Sequence, residues 1–330
     1  MPERSRPRCS IVIRSYNEER QIGKLLHGIG QQTIKNVETI VVDSGSTDAT
    51  AAIAGRYQAK LLNVDPENFS FGHSLNIGCQ DAAADFVVIA SAHVYPIYTD
   101  WLEQLLAPFK DSQIALVYGK QRGGKTTKYS EHHVFAKWFG DRSNPGQNNP
   151  FCNNANAAIR REIWKQLPYN DELTGLEDID WANRAIQLGY RIAYEAGAEV
   201  VHVHNETYRQ IFNRYRREAI AMKRIFPDEH FYFGDFIRLF FENVANDYTH
   251  AWREGVLRRE LFGIPYFRLM QFWGTYRGFA QRGPVTSQLK QTFYYPNRVQ
   301  GQAKMSLRAQ ENSRPLVDYS NEKRLYRENL

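Results

Sequence analysis

The chain has 330 residues, 42% of them hydrophobic and 13% aromatic, and a net charge of +6. That is enough material for one large or two modest domains with a real core, and it excludes a globally disordered chain. Cys9, Cys79 and Cys152 lie too far apart for a disulfide framework or a zinc spacing, which suits a reducing compartment. No run of about 18 apolar residues offers a membrane span. The apolar stretch behind the basic N-terminus is too short for a signal-peptide core, so a cytoplasmic protein is expected.

Charge is unevenly placed. Residues 1–205 hold 21 Lys+Arg and 23 Asp+Glu, whereas residues 206–330 hold 21 and 13, with 24 of the 44 aromatics. A near-neutral first part and a basic, aromatic second part point to an acidic partner surface, anionic lipid or nucleic acid. No zinc-finger or RNA-binding motif is present, which disfavours nucleic acid.

In chain order, Ser10–Arg14 reads as a buried strand, followed by Ser15-Tyr16-Asn17-Glu18 and a helical pattern through Ile22, Leu25, Leu26 and Ile29. Val37–Val42 is a second strand ending on Asp43, and the turn Ser44–Asp48 caps a second helix. Ala59–Val64 is a third strand, Phe71–Ala83 a third helix, and Asp85–Ala90 a fourth strand ending on Ser91-Ala92-His93. Alternating strands and helices imply a mostly parallel sheet with helices on both faces. Ligands bind beyond the carboxyl ends of such strands, here Ser15 to Glu18, Asp43 and Ser91 to His93. No Gly-x-Gly-x-x-Gly follows the first strand, so a dinucleotide oxidoreductase is disfavoured. Gly123-Gly124-Lys125-Thr126 lacks the upstream glycine of a phosphate loop and reads as a flexible loop.

Ile114–Tyr118 is a fifth strand, and residues 120–150 form a polar excursion with a helix near Ser130–Phe139. Thr174-Gly175-Leu176-Glu177-Asp178-Ile179-Asp180-Trp181 places three carboxylates within four residues where a loop becomes a helix. A helix N-terminus favours negative charge, but that accounts for one capping carboxylate rather than three. A general base, its proton affinity raised by like charges, is the other reading, and the motif alone leaves both open. Arg191–Tyr194 and Glu199–His204 follow as two short extended segments. In His202-Val203-His204, alternation puts both imidazoles on one face. From Tyr208 onward the pattern is helical, and the tail beyond about Gln300 reads as polar and poorly ordered.

These pieces, in this order, resemble the inverting glycosyltransferases of family 2 with the GT-A fold, and most closely their bacterial rhamnosyltransferase-like members. The resemblance rests on Ser10–Glu18, Val41–Asp48, Leu75-Asn76-Ile77-Gly78, Gly175–Trp181 and His202-Val203-His204. It implies an α/β catalytic domain over residues 1–205 and a helical extension over 206–330. It also implies transfer of a sugar from a nucleotide-sugar donor to a glycan or lipid-linked acceptor, with inversion. Asp178 is then the base, and Glu177, Asp180 and Trp181 hold the acceptor. Ser15, Tyr16, Asn17, Glu18, Asp43, Asn76 and Ser91 contact the nucleotide.

Asp43 could instead be a turn cap, and Asn76 an ordinary helix residue. The family's acidic metal motif after the fourth strand is here Ser91-Ala92-His93. A metal, if used, is therefore expected on His93 and His204, with Mn²⁺ favoured over Mg²⁺ because imidazole is a poor Mg²⁺ ligand. His202 is the weaker ligand candidate. Without a metal, His93 would donate to the diphosphate directly. The altered motif also leaves a non-catalytic nucleotide-sugar or glycan binder as the alternative. The basic helical region is expected to face an anionic membrane surface.

Overall fold

The computed structural model describes residues 6–283 and 314–320. In chain order its elements are β1 (Cys9–Ser15), α1 (Ile22–Gly30), β2 (Val37–Asp43), α2 (Thr50–Arg56), β3 (Lys60–Asn63), α3 (Phe71–Asp81), β4 (Phe86–Ser91) and β5 (Val94–Pro96). There follow α4 (Trp101–Leu106), β6 (Ile114–Gly123), α5 (Tyr129–Trp138), β7 (Asn144–Gln147), β8 (Asn156–Arg160), α6 (Arg161–Gln166), α7 (Glu177–Gln187) and β9 (Arg191–His202). Four helices complete it: α8 (Tyr208–Ile225), α9 (Phe233–Arg253), α10 (Leu257–Glu260) and α11 (Gly263–Phe279).

One sheet runs in the order β3-β2-β1-β4-β8-β6-β9-β5, with β7 paired to β9. The expectation of a mostly parallel sheet holds only for its first half. β3, β2, β1 and β4 are parallel, as are β6 and β9; β8 runs antiparallel to both β4 and β6, and β5 and β7 run antiparallel to β9. β8 follows the long excursion after β6, so its direction was not readable from local pattern. β9 is one strand, where the sequence suggested two segments.

Alternation along the strands makes two cores. Ile11, Ile13 and Val88 pack with Leu25 and Trp101 on one face of the sheet. Val12, Ile40 and Ile89 pack with Leu75, Trp164 and Trp181 on the other. Both faces are covered, as the apolar central strands require.

The C-terminal helices pack on one another through small residues. A Cβ at Gly274 would lie 2.6 Å from the Phe212 carbonyl oxygen, and one at Gly278 would lie 2.5 Å from that of Arg216. Glycine at both positions lets α11 approach the α8 backbone. α8 opens on a capping box, in which Thr207 Oγ1 accepts from Gln210 N while Gln210 Oε1 accepts from Thr207 N at 2.8 Å. The buried Arg268 of α11 is bonded twice to the buried Asp247 of α9, at 2.7 and 2.9 Å.

The expected loose tail is corrected in part. Residues 300–313 and 321–330 lie outside the described residues, but 314–320 return to the sheet. Val317 N donates to Ile97 O at 2.9 Å and Thr99 N to Pro315 O at 3.1 Å. Arg314 pairs with Asp100 at 2.6 Å, and Tyr319 Oη donates to Pro96 O at 2.6 Å. This strap lies just beyond β5, the outermost strand at that end of the sheet.

Candidate active site

Register sets the site. Ser15 pairs with Asp43 and Arg14 with Ser91, so the ends of β1, β2 and β4 share one edge. Two loops are stitched together there. Asn17 N donates to Ser46 Oγ, Asn17 Oδ1 accepts from Thr47 N, and Glu18 N donates to Thr50 Oγ1. Asp43 is buried and accepts from Ser15 Oγ at 3.0 Å and from Ser46 N at 2.8 Å. It therefore caps its own turn, whatever else it does. Asp43→Ala is expected to weaken nucleotide-diphosphate binding by about 1.5–3 kcal/mol, the worth of a hydrogen bond to a charged group. Calorimetry checks this, and unchanged affinity would leave Asp43 with the turn alone.

The acidic motif opens α7 behind Leu176, which sits in the left-handed region at φ 56°. Holding a non-glycine residue there costs about 1–3 kcal/mol and needs support from its surroundings. Asp178 is 7% exposed; its Oδ2 accepts from Asn154 N at 3.0 Å and its Oδ1 from Ile179 N at 2.9 Å. Burial, then the neighbouring Glu177 charge, push its carboxyl up to about 7 against the pull of those N–H groups and of Arg14. A carboxyl that ionises near neutrality is suited to general base work.

Its neighbours are committed elsewhere. Glu177 is buried and paired with Arg14 at 2.9 Å. Asp180 pairs with Arg184 one turn on, at 2.9 Å. The expected acceptor role of Trp181 does not fit its place: the ring is fully buried and the indole N–H donates to Leu167 O at 2.6 Å. Asn76 likewise braces the chain around residues 164–171. Its Oδ1 accepts from Trp164 Nε1 and Tyr169 N, and its Nδ2 donates to Tyr169 O and Asp171 Oδ1.

The histidines converge. β5 pairs with β9 so that Val94 faces His202, and Val203 N donates to His93 O at 2.9 Å. The His93 ring stacks on His202 with centroids 5.0 Å apart. Each Nδ1 has a side-chain oxygen partner: Glu18 for His93 at 3.0 Å, Gln121 for His202 at 2.7 Å, Glu131 for His204 at 2.7 Å. That leaves the Nε2 atoms facing inward, and those of His202 and His204 lie 3.1 Å apart. Burial, then His204, His93 and Arg214, hold the His202 pKa well below the usual imidazole range, so that ring is neutral. With the proton on Nδ1, its Nε2 lone pair faces His204 Nε2, where either an N–H of that ring or a metal cation satisfies it. Glu131 is drawn down to about 2 because His204 and Arg214 outweigh its burial.

The chain matches the family model "Glycosyl transferase family 2" over residues 10–167. The O-antigen chain rhamnosyltransferase WbaN of Salmonella anatum is 33% identical over 221 residues, 63% of this chain and 70% of that protein. The chain belongs to glycosyl transferase family 2. RfbN of Salmonella typhimurium, another O-antigen chain rhamnosyltransferase, is 32% identical over the same extent. In fold, this glycosyltransferase is similar to the mannosyltransferase PcManGT of Pyrobaculum calidifontis, solved with GDP-Man and Mn²⁺. The TM-score is 0.55 at 20% identity, over 83% of this chain and 85% of that one. The chain is thus an enzyme of the GT-A type, and nothing in these relatives supports the non-catalytic alternative.

Sequence reasoning missed several residues of this glycosyltransferase's candidate site. His202 joins the cluster it was ranked below; the period-2 alternation of His-Val-His was the available signal. Gln121 and Glu131, which orient two of the rings, gave no signal, because both lie in a stretch read as a polar excursion. Of the loop expected at Gly123–Thr126, Gly123 closes β6 and residues 124–126 form the turn that follows it, while residues 120–122 are part of the strand. Arg14, partner of Glu177, sat in a run read only as a strand.

Proposed function

We propose that the enzyme transfers a hexosyl or 6-deoxyhexosyl group, with inversion, from a nucleotide sugar to a hydroxyl of a glycan or lipid-linked glycan during cell-surface polysaccharide synthesis. The observation that carries this is the buried Asp178 carboxyl, tuned to about 7 at the start of α7. In this reading Asp178 Oδ takes the acceptor hydroxyl proton as the oxygen attacks the anomeric carbon. The bond to the departing diphosphate breaks on the opposite face in a single displacement, so one catalytic carboxylate suffices. Arg14 holds Glu177 beside the base, and Ser15, Tyr16, Asn17, Glu18, Asp43 and Ser91 form the nucleotide edge. Glu177 acts through its charge on Asp178 rather than by holding the acceptor. The rhamnosyltransferase relatives support a 6-deoxyhexose donor and an O-antigen-like acceptor. The test is a donor panel: nucleotide release coupled to an inverted glycoside, read by NMR of the new anomeric proton. Release without inversion would overturn the mechanism.

A divalent metal fits the donor set. His93, His202 and His204 would hold it, with Glu18, Gln121 and Glu131 orienting the rings. Bound there, a metal supplies positive charge to the leaving diphosphate. Three imidazoles favour Mn²⁺ or Zn²⁺ over Mg²⁺. EDTA is expected to abolish transfer, Mn²⁺ to restore it and Mg²⁺ to fail. His93→Ala and His204→Ala should lose the rescue. Full activity in EDTA would leave His93 as a hydrogen-bond donor to the diphosphate.

We assign residues 1–205 to the catalytic part and the helices between Tyr208 and Phe279 to a part that meets the cytoplasmic face of a membrane, while residues 314–320 go with the sheet. No described helix is long and apolar enough to cross one. Phe233, Ile237 and Phe241 recur one turn apart on α9, all exposed, and Trp252 and Phe262 are 72% and 74% exposed. Arg238, Arg253, Arg258 and Arg259 are exposed among them. Aromatic side chains with interspersed cations suit an anionic interface. Trp273, by contrast, packs against Phe236 and Tyr276. Flotation with anionic liposomes at low salt is expected to carry the protein upward. Protein left in the soluble fraction would remove the lipid role.

A further inference from the structure

His204 closes the histidine cluster, and one side chain of the helical part reaches it from two directions. Arg214 lies in the second turn of α8, with its side chain 17% exposed. On one side its Nη2 donates to Glu131 Oε1 of α5 at 2.5 Å. On the other, its Nε and Nη2 meet Glu206 Oε2 at 2.9 and 2.7 Å. The Glu131 oxygen that meets the guanidinium is the one that also accepts from His204 Nδ1, at 2.7 Å. Glu206 stands two residues after His204, in the loop that joins β9 to α8. Arg214 thus grips both the carboxylate that holds the His204 ring and the loop that carries its backbone.

Glu131, His204 and Glu206 are close enough to share a cation, and among the described residues both carboxylates are bonded to Arg214. Without the guanidinium, Glu131, 3% exposed at its side chain, would keep a buried charge beside the Glu206 carboxylate. Such a charge is relieved by protonation or by movement of the side chain. Either change takes from His204 Nδ1 the acceptor that sets its ring. A brace between helices would need only the Arg214–Glu131 contact. The shared oxygen adds the link to the ring.

We infer that Arg214 is a positioning residue for the metal site. It fixes Glu131, Glu131 fixes the His204 ring, and His204 Nε2 is thereby kept 3.1 Å from His202 Nε2, with the His93 ring beside both. A helix outside residues 1–205 then contributes to metal affinity. That consequence rests on the metal reading above; the placement of the ring does not.

Two measurements test this on the full chain: Mn²⁺ affinity, from the EPR signal of the free ion, and the His204 Nδ1–H signal, by NMR without metal. Arg214→Met is expected to weaken Mn²⁺ binding by about tenfold or more, within the 10–100-fold usual for a residue behind a ligand. Glu131→Gln should cost a similar factor. Because the two act in series, the double variant should bind no more weakly than Glu131→Gln alone. Should Arg214→Met fail to fold, Arg214→Lys carries the same test. A point charge cannot span Glu131 and Glu206 as the planar fork does, so a loss in the same direction is expected. Affinity unchanged or tighter, or losses that add to roughly a hundredfold in the double variant, would overturn the inference and leave Arg214 as a brace between α8 and α5. A wild type that binds no Mn²⁺ would instead sink the metal reading, and the NMR arm would then decide. A His204 Nδ1–H signal protected in wild type and lost in the Arg214 variant sustains the inference. A signal present in both, or absent from both, overturns it.

Discussion

Asp178→Asn is expected to lower transfer turnover by about 10²–10⁴-fold, the usual contribution of a positioned base, with nucleotide-diphosphate affinity close to wild type. The amide keeps the shape of the carboxylate but cannot take a proton. In the wild type, kcat/KM should rise with pH through about 7 as Asp178 ionises and then level off. The same group has a stability signature. Its folded pKa lies above the unfolded value of about 4, so its contribution is complete below about pH 4. It is then lost as pH rises through about 7. The Asn variant lacks that component, so its melting temperature should depend less on pH across this window. Near-normal turnover in the variant would move the base to Glu177 or Asp180.

Asp247→Ala should be the most destabilising single change in the helical part. Removing one partner of a buried ion pair leaves a charge uncompensated, at a cost of about 3–5 kcal/mol. Here the survivor would be Arg268, 4% exposed, which also reaches the Ser130 carbonyl of α5. Replacing both residues, as Asp247→Leu with Arg268→Met, should recover most of the loss, because two desolvated charges disappear together. Denaturant unfolding of the single and double variants checks both halves of the claim. A single variant within 1 kcal/mol of wild type would show that water reaches Arg268.

How much of this was legible in advance depends on distance along the chain. The four parallel strands, the loop after β1, Asp43 at the end of β2 and the acidic opening of α7 are all written in short windows of pattern. What those residues do was harder to read, since their partners are remote. Glu177 looked available until Arg14, 163 positions earlier, was found on it. Trp181 has an aromatic's appeal for a sugar, yet helical spacing turns it into the core beside Tyr169. Asn76 is absorbed by a segment more than 80 residues away. The antiparallel half of the sheet follows from the path of a long excursion, which no local periodicity encodes. The histidine cluster was half legible: the alternation of His202 and His204 was visible, but the β5–β9 pairing that delivers His93 was not.

The strap over β5 has a consequence in time. β5 is a short strand at the end of the sheet, and it carries the chain away from His93. During synthesis its neighbour β9 is finished at His202, but Val317 follows about 115 residues later. At about 5–20 residues per second that is a wait of roughly 6–23 s. Throughout that interval the nascent chain presents the backbone at Ile97 and Thr99 without its later partners, and Pro96 without the Tyr319 hydroxyl. Open strand edges of this kind pair with whatever strand is near. The yield of folded enzyme should therefore be set late in translation, and a ribosome stalled before residue 314 would hold a sheet whose β5 edge lacks its strap.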